Sequence, residues 1–285
     1  MDKGLYLYCI RAKTDYKFSV QGIDGGQVFA IPCQNLEAVV SEVFLKEFGS
    51  EEIQRKAQED LGWIKEKAQL HEQIVEEAMN PVRGQRGLVE AQRKQTSNGV
   101  KKGDEILSII PMKFGTIFKT KEKLEATLKK YYSKFKKTLE SLARKQEWAV
   151  KVYLNRKVFE EEVKKVSKVV QEKEREIAQL PEGMAYFMQK QIDDAVSKEA
   201  DKALENYTES FFEALKKYAE ASTKGKILEK ELTGKSLPMV LNAIFLVSEK
   251  KLKDFIKEID RINQEYKSKG FNFEYSGPWP PYNFI

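Results

Sequence analysis

The chain has 285 residues, 41% hydrophobic and 33% charged, with a formal net charge of +6. That length suits one or two domains with sizeable cores, and the composition describes a soluble, helix-rich chain and excludes a disordered one. The longest nearly apolar run, Leu237 to Val247, is 11 residues long and contains Pro238 and Asn242; a membrane span needs about 20, so none is expected. The N-terminus opens directly into a strand pattern, with no signal-peptide core. Two cysteines, Cys9 and Cys33, lie in apolar strand-like sequence and read as reduced core residues of a cytosolic protein. The charge is uneven: Asn80 to Glu147 holds 17 Lys and Arg against 7 Asp and Glu, which leaves the remainder acidic.

Gly4 to Ile10 alternates as a strand, with Leu5, Leu7 and Cys9 on one face and Tyr6, Tyr8 and Ile10 on the other. Apolar groups on both faces suit an internal strand. Two short strands, Gln27 to Ile31 and Leu36 to Val43, pair as a hairpin across Pro32 to Asn35. Ser50 reads as the N-cap of one helix running to about Asn80, with Ile53, Ala57, Leu61, Ile64, Ala68, His71, Val75 and Ala78 at three- and four-residue steps. Val82 to Gly103 is polar and glycine-punctuated and reads as a mobile basic loop. Ile106 to Ile110 is a strand, and Pro111 to Phe118 leaves the domain.

A helix from about Thr120 to Gln146 carries Leu124, Leu128, Tyr131, Phe135, Leu139 and Leu142 on one face and lysines on the other, as a bridge between two halves. Glu147 to Leu154 is a strand. Two long amphipathic helices follow, about Lys157 to Leu180 and Met184 to Ala221, paired as a helical hairpin. Lys226 to Leu232 is a strand, Thr233-Gly234-Lys235-Ser236 a turn, and Met239 to Val247 the most apolar strand. Glu249 to Ser268 is a helix, and the last strand begins at Gly270. From Glu147 onward the order is βαββαβ, the ferredoxin-like plan with an enlarged first crossover. The expected fold is therefore α+β in two domains: a small N-terminal sheet domain (1–118, including the loop 82–103) and a ferredoxin-like domain (147–285), with 119–146 as a basic bridging helix.

No catalytic constellation emerges. Gly234-Lys235-Ser236 imitates the end of a phosphate-binding loop, but Glu229 stands where that pattern needs glycine, and no helix follows. Lys269 to Tyr275 imitates the aromatic strand of an RNA-binding domain but breaks at Asn272 and Glu274. His71, the only histidine, sits on an apolar stripe and reads as a hydrogen-bonding histidine of the core or of a domain interface. One His and two scattered Cys do not supply a zinc site. No enzyme activity, metal or cofactor is expected.

The tail is the most distinctive stretch. Phe271, Phe273 and Tyr275 alternate as a strand, and Ser276-Gly277-Pro278 stops it. Pro278, Pro280 and Pro281 then stiffen a ribbon carrying Trp279, Tyr282 and Phe284. Such a ribbon serves either as a lid on its own domain or as a preorganised aromatic surface for a partner. Trp279 is expected to be the lid, with Tyr282 and Phe284, nearer the free end, as any partner surface.

Ser276 to Phe284 (Ser-Gly-Pro-Trp-Pro-Pro-Tyr-Asn-Phe) resembles the C-terminal signature of the gas vesicle protein F/L family (GvpF/GvpL). Three further segments match in family order: Leu5-Tyr6-Leu7-Tyr8, Trp63 with His71-Glu72, and Ile110-Pro111-Met112-Lys113-Phe114-Gly115-Thr116. The resemblance spans nearly the whole chain, with Val82 to Gly103 as an apparent insertion. It implies an accessory or minor structural protein of the gas vesicle, a protein-walled buoyancy organelle within the cytoplasm. Its role would lie in assembly, through binding of the hydrophobic shell protein and other vesicle proteins, with no membrane partner. The candidate partner-binding or motif residues are Trp279, Pro280, Pro281, Tyr282, Phe284, Lys113, Phe114, Gly115 and His71. The alternative is a nucleic-acid-binding α+β protein using the basic segment 80–147, whose affinity would fall steeply with salt.

Overall fold

Two antiparallel sheets organise the chain, and each has its own core. The computed structural model describes residues 2–80, 106–179 and 181–285; the expected loop 82–103 lies outside the described residues. The chain divides into two units, Met1–Glu147 with Pro278–Ile285, and Trp148–Gly277. The sequence reading placed the tail with the C-terminal domain; its last eight residues belong instead to the first unit.

In the first unit, β1 (Lys3–Ala12), β2 (Val28–Cys33), β3 (Leu36–Phe44), β4 (Ile109–Pro111) and β5 (Ile117–Phe118) form a sheet of order β2-β3-β1-β4, with β5 also on β1. The expected hairpin is present: β2 and β3 are antiparallel, with Val28 opposite Ser41 and Cys33 opposite Leu36. β1 is internal, as its two apolar faces require. Its alternation does not run straight through, however. The register with β3 slips between Leu7 and Cys9, a bulge that leaves one residue unpaired and switches the parity of those that follow. Tyr6, Tyr8 and Cys9 therefore share one core, while Leu5, Leu7 and Ile10 share the other. That corrects the expected faces of Cys9 and Ile10. Pro111 to Phe118 does not leave the domain either, because Ile117 and Phe118 return to pair with Tyr6 and Leu5.

The helix expected from Ser50 to Asn80 is two helices, α2 (Ser50–Glu59) and α3 (Leu61–Met79), after a single turn α1 (Leu45–Phe48). The N-cap of α2 is Gly49 rather than Ser50. Asp60 breaks the run: its side chain accepts from the Trp63 N–H and caps α3. Leu61, which extended the stripe on paper, is 75% exposed. Helix α4 (Lys121–Leu142) lays Leu124, Leu128 and Leu139 on the core holding Leu5, Leu7 and Ile10. The helix expected to bridge two halves is thus part of the first unit.

The second sheet has the order β7-β8-β6-β9, with β6 (Lys145–Leu154), β7 (Ala221–Lys224), β8 (Met239–Ser248) and β9 (Phe271–Trp279). Between β6 and β7 lie α5 (Arg156–Val166), α6 (Lys168–Ile177) and α7 (Glu182–Lys216). The first expected long helix breaks at Ser167, whose hydroxyl accepts from the Val170 N–H and starts a new helix. Val166, which an unbroken helix would carry on the same apolar face as Phe159 and Val163, is consequently 74% exposed.

The strand expected at Lys226 to Leu232 is a further correction. Pairing with β8 occupies Ala221 to Lys224, and Asn242 bonds Gly225 N and Lys226 O as the chain departs. A single turn, α8 (Lys230–Thr233), follows and ends on Gly234 at φ 65°. Helix α9 (Glu249–Tyr266) covers the sheet with Phe255, Ile259 and Ile262. Ser276-Gly277-Pro278 does not stop β9, which continues to Trp279. The strand sits at the sheet edge, where a proline without an N–H is tolerated.

Candidate functional site

Four sequence segments that looked distinctive meet within the first unit: the Tyr6–Tyr8 stretch of β1, the middle of α3, the turn from Met112 to Thr116, and the C-terminal tail. His71 is their junction. It is 2% exposed, on the face of α3 that packs against the sheet. Its Nε2 lies 3.1 Å from the Met112 carbonyl and 3.1 Å from the Tyr282 hydroxyl, and its Nδ1 lies 3.0 Å from the Tyr6 hydroxyl.

The partners fix the tautomer. A carbonyl oxygen only accepts, so Nε2 carries the proton and Nδ1 accepts. Tyr6 Oη accepts from the Gly115 N–H at 2.9 Å and donates its own proton to Nδ1. Tyr282 Oη, near Nε2, donates to the Glu72 carboxylate, with which it also bonds. The chain of donors therefore runs from Gly115 through Tyr6 to His71, and onward from Tyr282 to Glu72.

Burial sets the electrostatics. Desolvation pushes the His71 pKa down to about 4, against a smaller opposing effect from the Met112 carbonyl, so the imidazole is neutral near pH 7. It pushes the Tyr6 and Tyr282 phenols up, so both remain protonated donors. The Glu72 carboxyl is also raised by burial, with the Tyr282 bond pulling the other way.

The local backbone explains why these residues arrive together. Gly115 has φ +80°, a conformation a side chain rarely adopts, and this turn aims its N–H at Tyr6. Phe114 packs edge-on against both Tyr6 and His71, with centroids 6.2 and 6.0 Å away. Lys113 points to solvent, and its carbonyl closes the turn by accepting from Thr116. On the other side Tyr8 Oη bonds Ser41 Oγ at 2.8 Å and accepts from Ile23 N.

The tail has a second fastening. Glu147 Oε1 accepts from Asn283 Nδ2 at 2.6 Å, and Oε2 from the Asn283 N–H at 3.1 Å. Pro280 and Pro281 are buried, Tyr282 and Phe284 are half-buried, and Trp279 is 37% exposed. The expected burial is reversed: Trp279 is not fully buried, whereas Tyr282 is anchored by its hydroxyl.

Of the candidate residues, His71, Phe114, Gly115 and Tyr282 form one cluster, Pro280 and Pro281 seat the ribbon, and Lys113, Trp279 and Phe284 lie outside it. Tyr6, Glu72 and Glu147 were missed as site residues. Tyr6 had a usable signal, since a tyrosine on a strand buried on both faces must bond its hydroxyl and His71 was the one polar group on the facing stripe. Nothing in the sequence marked Glu147.

Among the described residues no group of three or more His, Cys, Asp or Glu could hold a metal ion. Neutral imidazole, protonated phenols and a carboxylate in mutual bonds make a fastener: both His71 nitrogens and the Tyr6 and Tyr282 hydroxyls are bonded to other chain segments. The fold and this knot together define a two-sheet α+β protein whose distinctive residues tie its own chain together. The family model described as "Gas vesicle synthesis protein GvpL/GvpF" matches residues 4–84 and 105–285, and the chain belongs to that family. The internal residues it skips, 85–104, overlap the stretch 82–103 that read as an insertion.

Curated relatives include gas vesicle protein F1 of Halobacterium salinarum, 23% identical with all of this chain and 94% of that protein covered. Gas vesicle protein L of a Streptomyces species is 22% identical over 99% of this chain and 93% of its own length. Among solved structures, GvpF from Anabaena superposes with a TM-score of 0.68 at 18% identity, covering 99% of this chain and 98% of that one. GvpF from Microcystis aeruginosa gives 0.58 at 16% identity with the same coverage. These likenesses show the fold.

Proposed function

We propose that this chain, a member of a family involved in gas vesicle formation, acts as an accessory protein that binds the hydrophobic shell protein before it joins the vesicle wall. Its place of action is the gas vesicle within the cytoplasm, and its other partners are further vesicle accessory proteins. The observation that carries this reading is the tail. Trp279 presents part of its ring to solvent from a backbone held on both sides, by β9 before it and by the Tyr282 and Asn283 bonds after it. A large ring with its direction set in advance binds at low entropic cost, and tryptophan is among the residues that most often dominate an interface. We also assign the second unit to the ferredoxin-like plan, supported by its strand order of β7-β8-β6-β9. The domain limits expected from the sequence, 1–118, 119–146 and 147–285, are adjusted in this proposal: 119–147 and 278–285 go with the first domain, and 148–277 is the second.

Trp279→Ala tests the proposal. Its thermal melt should show less than the roughly 3–5 kcal/mol loss of a core aromatic, while affinity for the shell protein falls by about 2 kcal/mol, roughly 30-fold, as at an interface hot spot. Unchanged affinity in a folded Trp279→Ala protein removes the tail as the binding surface.

A further inference from the structure

Among the described residues, helix α4 is covered on one side only. Leu124, Leu128, Leu139 and Leu142 are buried beneath it, and the opposite side is a run of lysines. Residues 126–139 contain Lys129, Lys130, Lys134, Lys136 and Lys137 and no Asp or Glu. All five lysines are exposed. Among the described residues only Lys136 reaches a carboxylate, Glu140 at 3.9 Å, and Lys130 otherwise lies over the ring of Tyr131 at 5.1 Å. Tyr131 is itself 42% exposed beside them. Several exposed lysines elsewhere are paired at helical spacing, as Lys165 with Glu162, Lys202 with Glu199 and Lys216 with Glu213; on this face four lysines stand together on one helix without such a pair among the described residues.

The geometry sharpens the reading. Lys130, Lys134 and Lys137 follow at steps of four and three, so they stand in one row along the helix, about 10 Å long at 1.5 Å per residue. Like charges so spaced repel one another by a few tenths of a kcal/mol per pair, a cost that an anionic partner removes.

We infer that the exposed face of α4 from Lys129 to Lys137 is a docking surface for an acidic protein segment, one that presents carboxylates at matching helical spacing. Three features favour a protein over a nucleic acid. The row holds lysines alone and no arginine, whose planar fork is the usual choice for gripping phosphates. Glu122, Glu125 and Glu140 bracket it at both ends and would oppose a longer phosphate backbone. The surface is a single convex helix rather than a groove that tracks a strand. Tyr131 supplies the apolar contact that a peptide side chain can use.

The test uses the full chain and a fluorescent helical peptide with glutamates at three- and four-residue spacing. A single-stranded DNA oligonucleotide of equal charge and a lysine peptide of the same design serve as comparisons. The parent should bind the glutamate peptide at low salt and lose it as salt approaches about 0.5 M, where charges beyond a few ångströms are screened. The triple variant Lys130→Glu, Lys134→Glu, Lys137→Glu should bind it at least about tenfold more weakly and should gain binding to the lysine peptide, which a misfolded protein would not do selectively. Should the triple variant fail to fold, Lys134→Gln alone is expected to weaken binding about twofold to threefold. Undiminished binding in either variant overturns the proposal. So does tighter binding of the parent to the DNA than to the glutamate peptide, which assigns the face to nucleic acid.

Discussion

The two units solve the same problem, a sheet covered by helices, with opposite core chemistry. The second relies on apolar rings: Phe211 lies edge-on to Tyr266, Phe271 and Phe273 at 4.9 to 5.2 Å, while Phe245 packs on Phe212 and Phe255. The first buries polar groups beside its apolar residues. Tyr6, Tyr8, Ser41 and His71 are all at most 2% exposed, and Arg11 is fully buried with its Nε 2.8 Å from Glu37 Oε1. Arg11 also donates to the Ala78 carbonyl and to Thr14. An apolar core tolerates many arrangements of similar volume. A buried polar group accepts only the arrangement that satisfies it. The first unit must gather four distant chain segments, including the C-terminus, and its hydrogen bonds specify which segments meet.

The comparison can be broken by substitutions in each core. Phe211→Ala removes a ring at 2% exposure and should cost about 3–5 kcal/mol by denaturant melts, the range for large aromatics in cores. Arg11→Met should cost about as much, because it leaves the Glu37 carboxylate buried without its partner. Here the two cores part company: adding Glu37→Leu should recover a large part of the Arg11→Met loss, whereas no second change of that kind rescues the Phe211 cavity. A double variant no more stable than Arg11→Met would show that Arg11 contributes packing, through its position over Phe18 at 5.1 Å, rather than charge pairing.

A smaller effect probes the knot itself. Tyr6→Phe deletes one oxygen and strands both the Gly115 N–H and His71 Nδ1, for an expected loss of about 1–3 kcal/mol. A neutral Tyr6→Phe would mean that water replaces the hydroxyl at no cost and that the knot does not organise the turn at Gly115.

Elements whose signal is local were legible in the sequence, and those decided by a single polar side chain were not. The strand β1 and the hairpin of β2 and β3 follow from their runs of aliphatic, aromatic and β-branched residues, and the stripe of α4 from its leucines. By contrast, Asp60 and Ser167 each interrupt an unbroken apolar period, because one oxygen capping a helix N-terminus outweighs the continuation of a stripe. The bulge in β1 is invisible to alternation, which has no means of counting an unpaired residue. β7 was misplaced because Ile227 and Leu232 look buried on paper, yet they are 53% and 75% exposed. In the site, the hydrogen-bonding role of His71 could be read from its stripe. Its Tyr6 and Tyr282 partners could not, since they lie 65 and 211 residues away. The tail's rigidity was readable from its prolines; which of its rings would be anchored was not, since Tyr282 is held by groups on α3 rather than by its neighbours.

The central claim, that a buried neutral imidazole fastens these segments, can be measured directly because the chain has one histidine. A folded-state pKa near 4, below the ordinary 6.5, means that the native protein binds fewer protons there than the unfolded chain. The stability contributed by His71 is therefore present above about pH 6.5 and is lost as pH falls toward 4, by about 3 kcal/mol in all. Glu72 and Glu147, whose carboxyls burial raises, act with the opposite sign and offset part of that loss. Nitrogen-15 NMR of the imidazole, followed from about pH 8 to about pH 5, separates His71 from both carboxylates. The account predicts a single neutral Nε2–H tautomer that does not titrate over this range. An imidazole that titrates near pH 6.5, or one that carries its proton on Nδ1, would contradict it.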